Sequence, residues 1–159
     1  MLASAVVPLA LLFILSACGA SKRQTTQPTA GVRGSGFTIE VLQGSIVTHP
    51  RGAVAVRSGA DLVSVTTFPL VKAYDVGKFD AAAKELDGLA ARLAKQAGTT
   101  VAKRETVTVA GRRIRAYEYG GRRIGFVLVG KREYQLFCRR AGDACDLLFS
   151  SFTLSGPQT

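Results

Sequence analysis

From Phe37 the chain alternates: Phe37, Ile39 and Val41 are apolar, and Thr38 and Glu40 between them are polar. Successive side chains of a strand point to opposite faces, so this spacing predicts a strand with one buried face. Ile46-Val47 follows, and His49-Pro50-Arg51-Gly52 reads as a turn. Ala53 to Arg57 and Asp61 to Phe68 are two further strand candidates joined across Ser58-Gly59-Ala60. The period then changes. Phe79, Ala83, Leu86, Ala90, Leu93 and Ala97 recur at helical spacing, Ala82 and Leu89 widen the stripe, and Lys84, Gly88 and Lys95 lie opposite it. This predicts one long amphipathic helix that opens near Asp75–Asp80 and closes at Gly98, a natural terminating residue. Asp80, Glu85 and Asp87 fall on its solvated or early-turn side.

The second half supplies the sheet that such a helix needs. Thr106-Val107-Thr108-Val109 alternates, Ala110-Gly111 turns the chain, and Arg112 to Tyr119 runs on to Gly120-Gly121, a strong two-residue hairpin signal. Pairing Tyr119 with Arg122 places Glu118 opposite Arg123 and Arg115 opposite Phe126. Gly125 to Val129 is apolar on both faces and predicts a central strand covered from both sides. Gly130-Lys131 turns again and Glu133 to Cys138 returns. Asp143 is a candidate cap for a short last helix in which Leu148 and Phe152 stack four apart. The fold class is therefore α+β: an antiparallel sheet of about five to seven strands against one long helix and a short C-terminal helix.

This order, with Val109-Ala110-Gly111-Arg112-Arg113 leading into Tyr117, the strand Phe126-Val127-Leu128-Val129, and Leu147-Leu148-Phe149-Ser150-Ser151-Phe152, resembles the PsbP-like superfamily, which includes the Ran-binding Mog proteins. The likeness covers about Gly36 to Leu154. It implies an antiparallel sheet sandwiched by helices and a function in protein contacts. It carries over no functional residue.

The start of the chain has a different character. Met1 to Ala17 holds no charged side chain, and Ala5 to Leu15 is nearly all apolar. The run is short for a membrane span, which takes about 20 residues, and suits the core of a secretory signal. Leu15-Ser16-Ala17-Cys18 resembles the lipobox of bacterial lipoproteins, although the Lys or Arg that usually precedes the apolar run is absent. An ordinary cleaved signal and an uncleaved anchor are the alternatives. The expected organisation is a signal over 1–17, a lipid-anchored flexible tether over 18–35 beginning at acylated Cys18, and the folded domain over 36–156. Together these features resemble small actinobacterial cell-envelope lipoproteins, held at the extracytoplasmic face of the cell membrane.

Charge then narrows the partners. The net charge is +10, and Lys103 to Arg140 carries eleven basic residues against Glu105, Glu118 and Glu133. The bias favours an anionic lipid, an anionic polymer or an acidic protein face. Nucleic acid is electrostatically eligible, but an exported protein does not meet it. Arg113, Arg115, Tyr117 and Tyr119 share one strand face by alternation, Arg112 flanks them, and Arg122 and Arg123 follow the turn. Arginine forks beside phenols suit phosphate or carboxylate. In the competing reading the aromatic bodies pack beneath the helix and the arginines lie around them.

Catalytic chemistry finds little footing. His49 is the single imidazole, Ser150 and Ser151 lie in no G-x-S-x-G context, and no metalloprotease, P-loop or dinucleotide motif appears. Cys138 and Cys145 are expected to form a structural disulfide, with free buried thiols as the alternative; they lack the further ligands a metal site requires. No cofactor or metal is expected. Two functions follow: a non-catalytic interaction module for an envelope protein or anionic surface, or a carrier or sensor of a small apolar ligand held between helix and sheet.

Overall fold

The computed structural model describes residues 29–156. Strands β1 (Thr29–Gly34), β2 (Phe37–Leu42), β3 (Ile46–Thr48), β4 (Ala53–Ser58) and β5 (Asp61–Pro69) precede helix α1 (Phe79–Gln96). Then come β6 (Val101–Val109), β7 (Arg112–Tyr119), β8 (Arg122–Val129), β9 (Arg132–Cys138), helix α2 (Asp143–Ser151) and the short β10 (Thr153–Leu154). The strands form two sheets: a seven-stranded one ordered β3-β4-β5-β9-β8-β7-β6, and a three-stranded one ordered β1-β2-β10. Every ladder is antiparallel.

Gly120-Gly121 closes the β7–β8 hairpin with both residues at positive φ, 52° and 74°, as a tight two-residue loop requires. Tyr119 pairs with Arg122, Glu118 with Arg123 and Arg115 with Phe126, the register expected from that turn. Since side chains alternate, the register also decides which residues meet each helix. Tyr117, Tyr119, Ile124 and Phe126 pack with Leu86, Ala90 and Ala94 of α1. Ile114, Ala116, Val127 and Leu136 look the other way, into a core shared with α2 and β2. The large sheet is thus the middle layer, with α1 on one side and α2 plus the small sheet on the other.

Helix α1 is entered through a single 3₁₀ turn, Val76–Lys78, whose first N–H groups are partly satisfied by Asp75: its carboxylate accepts from Gly77 N at 2.9 Å. The helix ends at Gln96 with Ala97 as its cap, and Gly98 takes φ 71° to leave it. Its buried stripe is rotated slightly from the sequence expectation. Ala94 is buried and Ala97 exposed, and Asp87 faces the sheet flank rather than open solvent.

Two further expectations are corrected. The tether was expected to reach Ser35, but Thr29–Gly34 forms a strand along β2. The strand needs little apolar sequence because backbone hydrogen bonds hold it; Val32 packs against the core, and a Cβ at Gly34 would overlap the Phe37 ring. Asp143 is the first residue of α2 but not its cap. Gly142 occupies that position, and its carbonyl accepts from Cys145 N and Asp146 N. Cys138 and Cys145 lie at disulfide distance with Cα atoms 5.6 Å apart, tying β9 to the start of α2. Cys18 and the expected signal lie outside the described residues.

Candidate functional site

The five arginines singled out in the sequence do not form one surface. β7 spans eight residues from Arg112 to Tyr119, whose seven steps make about 24 Å at strand rise, so Arg112 and Arg113 stand at one end of the sheet and Arg122 and Arg123 at the other. Alternation splits them again. Arg113 and Arg115 lie on the α1 side with Tyr117 and Tyr119, and Arg123 lies on the α2 side.

Arg115 and Arg123 are occupied within the fold. Arg115 donates through Nη2 at 2.8 Å and Nε at 3.3 Å to Asp87 Oδ1, and through Nη1 at 3.3 Å to the Thr106 hydroxyl. The Tyr117 hydroxyl donates to the same Asp87 oxygen at 2.6 Å. Burial pushes the Asp87 carboxyl up, but the hydrogen bonds from Tyr117 and Arg115 outweigh it and hold the group below the usual carboxylate range. Burial, reinforced by the bond to Asp87, pushes the Tyr117 phenol well up. Arg123 donates from Nη2 to Glu105 at 2.9 Å and its guanidinium sits 4.3 Å above the Phe149 ring. Both are internal struts. Around Tyr117 and Tyr119 the structure follows the competing reading, with phenols beneath the helix and arginine closing over them.

What gathers at the other end was not visible as a motif. The connection from β5 to α1, residues 70–78, folds back on the β8–β9 turn: Leu70 N donates to Lys131 O at 2.8 Å, and Tyr74 N to Gly130 O at 2.7 Å. This brings Tyr74, Val76 and Phe79 beside Arg112 and Arg113 around an open cleft of about 510 Å³, floored by Leu128 and walled by the Ala110-Gly111 turn. Ala110 holds φ 49°, a left-handed conformation that costs a residue with a Cβ about 1–2 kcal/mol. Arg113 stacks 4.3 Å from the Phe79 ring centroid. Its ion pair with Asp80 is long, 3.9 Å, and its side chain is 66% exposed, so the guanidinium is braced by the ring yet presented to solvent. Burial pushes the Tyr74 phenol up, opposed by Arg113. A neighbouring cleft of about 610 Å³ is lined by Lys131, Arg132, Tyr134 and Gly36.

Chemically, this end offers guanidinium and ammonium donors beside aromatic and aliphatic walls, which suits an anionic group attached to an apolar or planar body. The seam between α1 and the sheet offers much less. Its cavity, between Phe79, Leu86, Arg115 and Phe126, measures about 10 Å³, room for one water at most. Sequence reasoning reached Arg112 and Arg113 through their charge. It missed Tyr74 and Val76 because residues 70–78 have neither strand nor helix period; the available signal was Val71, Tyr74 and Val76 interleaved with Lys72 and Lys78 in one loop.

Fold and cleft together define a small α+β domain with a basic, partly apolar end. No protein-family model matches the chain, and no characterised protein sequence matches it.

Proposed function

We propose that the chain is a lipoprotein of the extracytoplasmic membrane face, anchored through Cys18, whose PsbP-like domain is a non-catalytic binding module for an anionic partner. The observation that carries this reading is the placement of Arg112 and Arg113 with Tyr74, Val76 and Phe79 in one open cleft. The competing carrier reading needs room between helix and sheet, and that seam is filled by Tyr117, Tyr119, Phe126 and Leu86.

Polyphosphate is a suitable soluble probe because it presents the anion without a particular partner. Binding should weaken steeply with salt, since charge attraction is screened over about 10 Å at 0.1 M. Replacing both Arg112 and Arg113 by Glu should lower affinity by at least about tenfold, each lost charge-assisted contact being worth roughly 1.5–3 kcal/mol. Unchanged affinity in this double variant would move the site elsewhere. The anchor is tested separately: Cys18→Ala should abolish labelling by a fatty-acid probe, and a wild-type protein that takes no label would remove the anchor from the proposal.

A further inference from the structure

The end of the domain that holds the cleft also collects the apolar side chains the fold leaves outside. Four large hydrophobic residues are exposed among the described residues, and three of them, Phe68 at 41%, Val71 at 96% and Val76 at 66%, lie in or next to the 70–78 connection. The fourth, Ile46, pairs with Arg57 at the far end of the large sheet. Lys72 and Lys78 are interleaved with the valines, and Lys131 projects from the turn to which Leu70 is hydrogen-bonded. Against Lys72, Lys78, Arg112, Arg113, Lys131 and Arg132, this end carries Asp75, Asp80 and Glu133, the last paired with Phe68 and Leu128.

An acidic protein face would account for the charge but not for a valine with nearly its whole surface in water within a pinned loop. Aliphatic side chains ringed by lysines are the composition of a surface that settles into the boundary between headgroups and acyl chains. We infer that this end docks on the anionic bilayer, with Val71 and Val76 entering the interface and Lys72, Lys78 and Lys131 meeting lipid phosphates; the inference rests on the anion-binding reading and on the Cys18 anchor.

Chain length permits this pose. β1 runs from Gly34, opposite Phe37 next to the docking end, to Thr29, opposite Leu42; five residue steps make about 17 Å. Eleven residue steps lead from Cys18 to Thr29, and such a length can reach at most about 36–40 Å in any conformation. An anchor in the same membrane therefore leaves Thr29 free to stand above a docked domain. The loop that would enter the lipid is already held by the Leu70 and Tyr74 backbone bonds, so docking requires little new ordering.

The test uses the cell-processed protein reconstituted in vesicles. With Cys18 acylated and Cys138 and Cys145 bridged, Val71→Cys or Ile46→Cys provides a single free thiol for a fluorescent label. On phosphatidylcholine vesicles containing phosphatidylglycerol, the label at position 71 should be quenched by lipid-borne quenchers and shielded from aqueous ones, and the label at position 46 should behave oppositely. Lys72→Glu with Lys78→Glu should lower the lipid-contacting population by roughly tenfold or more, about fivefold for each basic residue lost. Equal aqueous exposure at both positions overturns the docking inference. If polyphosphate binding still depends on Arg112 and Arg113 in that event, the anion-binding module stands and its partner is not the bilayer. If that dependence is absent too, both readings fall. The same lipid contact on pure phosphatidylcholine also overturns the inference, because charge would then play no part.

Discussion

The Tyr117 hydroxyl reaches across from the sheet to donate to Asp87 Oδ1 of α1 at 2.6 Å, and Arg115 donates to the same oxygen at 2.8 Å. Tyr117 is fully buried, so its hydroxyl has little access to water and depends on this partner. The three residues form a polar clamp at the margin of the apolar seam between α1 and the sheet. Asp87→Ala should cost about 2–3 kcal/mol, the range for losing hydrogen bonds to a charged group and stranding a buried donor. Asp87→Asn keeps one acceptor oxygen and should cost less. Urea unfolding of the two variants measures the difference, and equal losses would mean that packing rather than the carboxylate holds the helix.

The same clamp sets a pH window. The Asp87 carboxyl is held below its ordinary value of 3.8, so its contribution is complete above that pH and is lost as pH falls through the lower folded value. Glu105, held down by the Lys103 ammonium beside it, acts in the same direction. The Tyr117 phenol is raised above its ordinary 10.0 by burial, so its contribution is complete below pH 10 and is lost as pH rises further. Unfolding midpoints should therefore decline at both extremes. Asp87→Asn should flatten the acid limb, and Tyr117→Phe the alkaline one.

Gly125 makes a separate demand at the centre of β8. A Cβ there would lie 2.7 Å from Phe149 Cε1 and 3.1 Å from Ile114 Cδ1, so the strand gives up a side chain to seat the α2 ring. Gly125→Ala should destabilise by about 1–3 kcal/mol through overpacking. Adding Phe149→Leu should recover part of the loss, because the smaller side chain opens the space. Thermal melts of the single and double variants decide it.

The covalent tie between β9 and α2 should also be measurable. A bond closing so short a loop stabilises by roughly 2–3 kcal/mol in the chain-entropy account. Cys138→Ser with Cys145→Ser should lower stability by about that amount, and non-reducing peptide mapping of the wild type should recover the two cysteine peptides linked.

Where turn chemistry and period agreed, the sequence was legible. Gly120-Gly121 admits a tight hairpin, and that one turn placed Arg115 opposite Phe126 and Glu118 opposite Arg123. The α1 stripe was readable from its period, and the β9–α2 cysteine pair from the short separation of its two cysteines. β1 was not, because Thr29–Gly34 pairs through backbone groups that no side-chain period announces. Asp87 was assigned to solvent because helical spacing locates a side chain's angle but not the hydrogen-bonding partner, here Tyr117, that makes the seam's margin habitable for a carboxylate. The arginines looked like one cluster because sequence proximity hides both the alternation of faces and the length of β7.

That division among the arginines yields opposite phenotypes. Arg123 is 19% exposed, bonded to Glu105 and stacked on Phe149; Arg113 is 66% exposed with one long ion pair. Arg123→Glu would set a carboxylate against Glu105 in a largely buried position, so it should cost about 3 kcal/mol or more of stability. Measured well below its unfolding temperature, its polyphosphate affinity should stay within about threefold of wild type, a distant charge being screened beyond about 10 Å. Arg112→Glu with Arg113→Glu should do the reverse, weakening binding by at least about tenfold while costing less stability than Arg123→Glu, since the exposed Arg113 holds only a long ion pair, of a kind that contributes about 0–1 kcal/mol. The salt dependence should separate them as well: it should flatten in the Arg112 and Arg113 variant and stay as in wild type for Arg123→Glu. Equal losses of affinity in the two variants would mean that the probe reads net charge alone, and the cleft would lose its claim to be the site.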